Sequence, residues 1–176
     1  LAEAIDSFTN LQNRLIAVGT SANDLSAVYE KLRGVALETH SDLATTIGLY
    51  SRLEVGFRTL GYTQNESIAF TRQLSEAVKL SGASSQEAKY AIQDLAHGIA
   101  AGTINGRELN GILREMPSLA KLIATAFGVQ VGQLKHMATE GKLTADGLIQ
   151  GFAKLDKDLG GQFGRRVSNI KDALVD

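Results

Sequence analysis

The sequence predicts an all-α fold: a multi-helix globular domain of roughly nine or ten short to medium helices joined by short loops. Three observations carry that prediction. Apolar residues recur with the helical period along the whole chain, and no run of β-branched residues alternates as a strand would. One proline stands against 18 glycines, so elements run unbroken between glycine stops. Helix-start signals of the capping-box type recur at Ser21-Ala22-Asn23-Asp24, Thr63-Gln64-Asn65-Glu66 and Ser84-Ser85-Gln86-Glu87.

The elements follow in order. Leu1, Ile5, Phe8, Leu11, Leu15 and Val18 step by three or four residues and predict one buried face of a first helix, ended by Gly19. Leu25, Val28, Leu32 and Val35 form the stripe of a second, before Thr39-His40-Ser41-Asp42 caps the next. The third helix buries Leu43, Ile47, Tyr50, Phe57 and Leu60, with Leu53 between Tyr50 and Phe57; Gly48 and Gly56 leave room for a neighbour and Gly61 stops it. Ile68, Leu74 and Val78 mark a fourth helix, and Ala88, Ile92, Leu95 and Ile99 a fifth that stops at Gly102.

From here the units shorten. Thr103-Ile104-Asn105-Gly106 reads as a tight turn in which Asn-Gly accommodates left-handed backbone, Arg107 to Met116 as a short helix, and Pro117 as the first turn of another. Leu119, Leu122, Ile123 and Phe127 end at Gly128, Leu134 and Met137 end at Gly141, and Thr144 caps a helix carrying Leu148, Phe152 and Leu155. Gly160-Gly161 breaks the chain, and Phe163, Val167, Ile170 and Leu174 share the face of a last helix. The whole reads as one helical domain over residues 1–176, and its start on Leu1-Ala2-Glu3-Ala4-Ile5 reads as a segment of a longer chain.

Composition removes several function classes. The chain has no cysteine, which excludes disulfides, thiolate nucleophiles and cysteine-ligated metal centres. A formal charge of -1 with no basic stripe argues against nucleic-acid binding. His40, His97 and His136 lie far apart without a second ligand at helical spacing, so no metal site is expected. No P-loop, nucleophile elbow or dinucleotide motif is present, and Gly160-Gly161-Gln162-Phe163-Gly164 reads as a hinge or cap rather than a phosphate cradle. No catalytic residue and no cofactor is expected.

Two other chemistries set the alternatives. Glu108, Glu115 and Glu140 supply carboxyl groups for glycoside cleavage, which makes a peptidoglycan-cleaving (muralytic) domain using Glu108 or Glu140 the alternative from the enzyme class. Against it, the chain has no tryptophan, and most of its Tyr and Phe residues fall on core stripes rather than on sugar platforms. The stretch Gly128 to Leu134 resembles the turn of a helix-turn-helix, but only Lys135 and His136 follow as polar readers, so a DNA-contacting domain ranks third. Outside the core, Gly102 to Asn110 is the densest stretch: Ile104 and Leu109 fasten it inward and leave Arg107, Glu108 and Asn110 as the candidate partner-contact residues.

Several islands resemble the N-terminal domain of bacteriophage and prophage tail tape measure proteins. They are Phe8 to Leu15, Leu49 to Leu53, Ser81-Gly82-Ala83, Gly102 to Asn110, Met116-Pro117, and Glu140 to Thr144, in the expected order over nearly the whole chain. Asp94 and His97 stand where that resemblance leads one to expect glutamines. The resemblance implies a non-enzymatic structural protein, part of a mostly helical rod that sets tail length and occupies the tail tube lumen in a few copies. It implies tail tube and tail tip proteins and tail assembly chaperones as partners, and no specific nucleic-acid site. It places the protein in the virion tail, and in the host cytoplasm during assembly. Membrane contact is reserved for the full-length protein as DNA passes into the cell.

Overall fold

The computed structural model describes residues 2–156, all of whose regular elements are helical, as expected. They are α1 (Ala2–Ala17), α2 (Leu25–Glu38), α3 (Leu43–Thr59), α4 (Gln64–Ser81), α5 (Ser85–Ala101), α6 (Gly106–Glu115), α7 (Pro117–Phe127), a 3-10 turn (Val131–Gln133), α8 (Leu134–Thr139), and α9 over 145–156. Leu1, the break at Gly160-Gly161 and the helix read on Phe163, Val167, Ile170 and Leu174 lie outside the described residues. By its internal contacts the chain divides into Leu1–Ser75 and Glu76–Asp176.

In the first unit, Leu11 and Leu15 of α1, Val28, Leu32 and Val35 of α2, Ile47 and Tyr50 of α3, and Ile68 of α4 form one core. A second group joins the ring of Phe57 to those of Phe70 and Tyr62, with centroids 5.2 and 5.5 Å apart. The N-terminal half of α1 departs from expectation: Ile5 is 58% exposed and Phe8 42%, the latter meeting Tyr29 edge-on at 5.0 Å. The reason is geometric. Each step of three residues turns a helix back by about 60°, so the two steps from Ile5 through Phe8 to Leu11 carry Ile5 about 120° away from the buried face. Ile5 and Phe8 instead align with Gln12 and with Ile16, which is 50% exposed.

The caps follow the sequence closely. Thr63 and Glu66 close a reciprocal box, the Thr63 amide donating to the Glu66 carboxylate at 2.7 Å, and Ser84 and Glu87 do the same at 2.8 Å. These hydrogen bonds hold the Glu66 and Glu87 carboxyls below their ordinary range. At α3 the capping residue is Asp42, which accepts the Thr45 amide at 2.8 Å. Ser21 and Asp24 pair one turn ahead of α2, with Ser21 Oγ accepting the Asp24 amide at 3.2 Å, and so shape the approach to the helix rather than its first turn. Leu43 and Leu60 are half-buried ends of the α3 stripe, and Leu53 at its centre is fully buried.

In the second unit, Ile99 of α5, Ile104 in the turn, Leu109 and Ile112 of α6, Leu119 and Ile123 of α7, Leu134 of α8, and Leu148 and Phe152 of α9 are buried. Helix α5 ends on left-handed Gly102 at φ 86°, and α7 on Gly128 at φ 67°. Met116 caps both α6 and α7, and Pro117 occupies the first position of α7, where its missing N–H costs nothing. Helix α9 lies close on the end of α7 through two glycines. A Cβ on Gly147 would come within 2.7 Å of Phe127, and one on Gly151 within 2.6 Å of both the Ala126 side chain and its carbonyl oxygen.

Candidate functional site

The turn between α5 and α6 is built from its glycines and its asparagine. Gly98 lets Ile104 fold back onto α5, since a Cβ there would stand 2.7 Å from Ile104 Cγ1. The left-handed residue is Gly102, not the Asn105-Gly106 pair of the sequence reading: Asn105 is extended, at φ -90° and ψ -179°, and Gly106 opens α6. The asparagine earns its place as an N-cap, its side chain accepting the Arg107 amide at 2.9 Å, a role that needs extended rather than left-handed backbone.

A second turn is stitched to the first. Thr103 and Thr144 form an antiparallel bridge, the Ile104 amide donating to Leu143 at 2.9 Å and the Ala145 amide to Gly102 at 2.9 Å. Ile104 and Leu143 are buried beneath it. Two of the family-like islands, Gly102 to Asn110 and Glu140 to Thr144, thus form a single two-turn clip although the bridged residues, Thr103 and Thr144, stand about 40 positions apart along the chain. Left-handed Gly141 at φ 68° turns the chain into the second arm of the clip.

On this support Arg107 and Asn110 are exposed and Leu109 is fully buried. Glu108 is only half-exposed, and its Oε2 is buried without a hydrogen-bond partner. The neighbour is Asp94. Its carboxylate lies where a Cβ on Gly111 would stand, and Gly111 shares a face of α6 with Glu108 one turn earlier. Burial, and then the Glu108 charge, raise the Asp94 carboxyl above its ordinary range, while His97, Arg114 and Arg107 act the other way. In the sequence Asp94 stands out only as a departure from an expected glutamine. The signal that reveals its setting is Gly111, a glycine in the middle of a short helix.

The other polar candidates are placed as follows. Glu140 engages Lys142 at 2.9 Å and His136 at 3.3 Å, and these contacts hold its carboxyl below the ordinary range, the reverse of what a general acid requires. Glu115 pairs with Arg114 at 2.6 Å. His40, His97 and His136 are all exposed. Among the described residues no group of three or more His, Cys, Asp or Glu side chains is placed to hold a metal ion, and no helix is long and apolar enough to cross a membrane.

A family model described as Tape measure protein matches residues 1–176. No curated protein and no solved structure matches the chain. The clip joins two islands that carried the sequence resemblance, the described elements are helical throughout, and the match spans the chain; it belongs to the tape measure protein family, the structural tape measures of phage tails.

Proposed function

We propose that this chain is a helical, non-enzymatic part of a longer tape measure that sets tail length and occupies the lumen of the tail tube. The observation that carries the reading is the family match over residues 1–176. An in-frame duplication or deletion of the segment in a phage that encodes it is expected to change tail length, read by electron microscopy. Tails of unaltered length would overturn the length-setting role.

Within that role the segment docks on other tail components: tube and tip proteins, assembly chaperones, or further copies of itself. The docking surface is the α5–α6 turn with Arg107, Glu108 and Asn110. What supports it is rigidity. The bridge to Thr144, the buried Ile104 and Leu109, and the Asn105 cap hold the turn independently of Arg107 and Asn110, whose side chains are exposed. The double variant Arg107→Ala, Asn110→Ala is therefore expected to keep its Tm while failing to complement a tail-assembly defect. Full complementation would move the docking surface elsewhere. Assembly places the protein in the host cytoplasm first and in the virion tail afterwards.

A further inference from the structure

The first unit contains a polar knot in a setting that ought to be apolar. Thr20 and Glu54 are each 3% exposed and Tyr50 is fully buried, yet Thr20 Oγ1, Tyr50 Oη and Glu54 Oε2 are all without a hydrogen-bond partner. The three belong together. Tyr50 and Glu54 are one turn apart on α3, and the side chains of Thr20 and Gln64 lie beside the Tyr50 hydroxyl. Burial, and next to it the Glu54 charge, push that hydroxyl up to about 12, so Tyr50 remains a neutral O–H donor across the ordinary pH range.

Arg58 closes the knot. Its guanidinium donates to the Gly19 carbonyl at 3.1 Å and to Glu54 Oε1 at 3.2 Å, and it covers Gly19, whose left-handed backbone at φ 89° favours glycine. This contact decides the charge of whatever completes the knot. Arg58 already balances Glu54, and a second cation on the same carboxylate would be repelled by the guanidinium. A group that completes the knot is therefore small, neutral, and able both to donate and to accept.

We infer that one internal water molecule is an integral part of this unit, bound among Thr20 Oγ1, Tyr50 Oη and Glu54 Oε2. The three oxygens supply the two to four polar partners that hold a buried water. The water donates to Glu54 Oε2, which can only accept, and to Thr20 Oγ1, and it accepts the Tyr50 O–H. It ties the turn after α1 to α3, and it explains why a tyrosine rather than a phenylalanine stands in the core at this position.

Oxygen-17 magnetic relaxation dispersion counts long-lived internal waters, and crystals of the chain locate them. The expected result is density within about 3.2 Å of all three oxygens, together with a dispersion amplitude that falls by one water in Thr20→Val, Tyr50→Phe relative to the parent. An unchanged amplitude in the folded double variant overturns the assignment. So does parent density in which Tyr50 Oη bonds directly to Glu54 Oε2, or an anomalous peak at the site after a rubidium soak. The crystal measurement uses the unaltered chain and so reads the site even where the double variant does not fold.

Discussion

Leu53 is fully buried on α3 between Tyr50 and Phe57. Leu53→Ala is expected to cost roughly 2 to 5 kcal/mol, the range of a core truncation that leaves a cavity, measured by denaturant unfolding. A loss under about half a kilocalorie would place that face in solvent. Asp94 makes the opposite case, a residue whose charged form is the disfavoured one. Its folded-state pKa is raised, by burial first and by Glu108 second, so its contribution to stability is fully present below the unfolded value and is lost as pH rises through the folded value. Asp94→Asn is accordingly expected to raise Tm near neutral pH and to leave it almost unchanged in acid below the ordinary carboxylate range. Thermal unfolding at the two pH values checks this. An equal Tm at neutral pH would show that His97, Arg107 and Arg114 offset the repulsion in full.

Among the helices, glycine has opposite meanings in different elements. Gly34, inside α2, faces open space, and a Cβ there meets nothing within 4 Å. Gly34→Ala is expected to stabilise by about 0.5 to 1 kcal/mol, because the unfolded chain loses freedom and the folded chain meets no clash. Gly151, inside α9, carries the close approach to α7, where a Cβ would press on the Ala126 carbonyl oxygen at 2.6 Å. A backbone atom cannot swing aside as the end of a flexible side chain can. Gly151→Ala is expected to cost roughly 1 to 3 kcal/mol as the two helices are forced apart. Urea titration of both variants reads the two signs side by side, and stabilisation by Gly151→Ala would mean that the helices are free to separate.

For the whole molecule, we propose that residues 1–176 unfold as one domain, although their contacts group into Leu1–Ser75 and Glu76–Asp176. The boundary between the groups falls inside α4, Gln64–Ser81, and residues 73–77 of that helix are buried throughout. Neither group can melt without fraying a helix that the other uses, so calorimetry is expected to show one transition whose van't Hoff and calorimetric enthalpies agree. Two resolved transitions would make the chain two domains sharing a helix.

What was legible in the sequence is what neighbours along the chain decide. A capping box is settled within four residues, so Thr63 with Glu66 and Ser84 with Glu87 could be read directly, as could the left-handed stop at Gly102 and the proline opening α7. The helical period is equally local, and the all-α class followed from it. Tertiary structure decided which of two adjoining apolar stripes a helix buries: Ile5 and Phe8 lie on the exposed one, because burial depends on where α2 and α3 lie and not on the period of α1. It also decided that Asp94 faces Glu108 across Gly111, and that the turn at Gly102 is bridged to the turn at Thr144. The candidate site was therefore half legible. Arg107 and Asn110 are exposed as their positions on a short amphipathic helix require, while Glu108 is partly buried and its charge acts on Asp94 of another helix. Local sequence sets conformations through steric and hydrogen-bonding preferences that act over one turn. Which surfaces meet is set by the packing of the whole chain, where residues about 40 apart gain a contact that neither of them specifies alone.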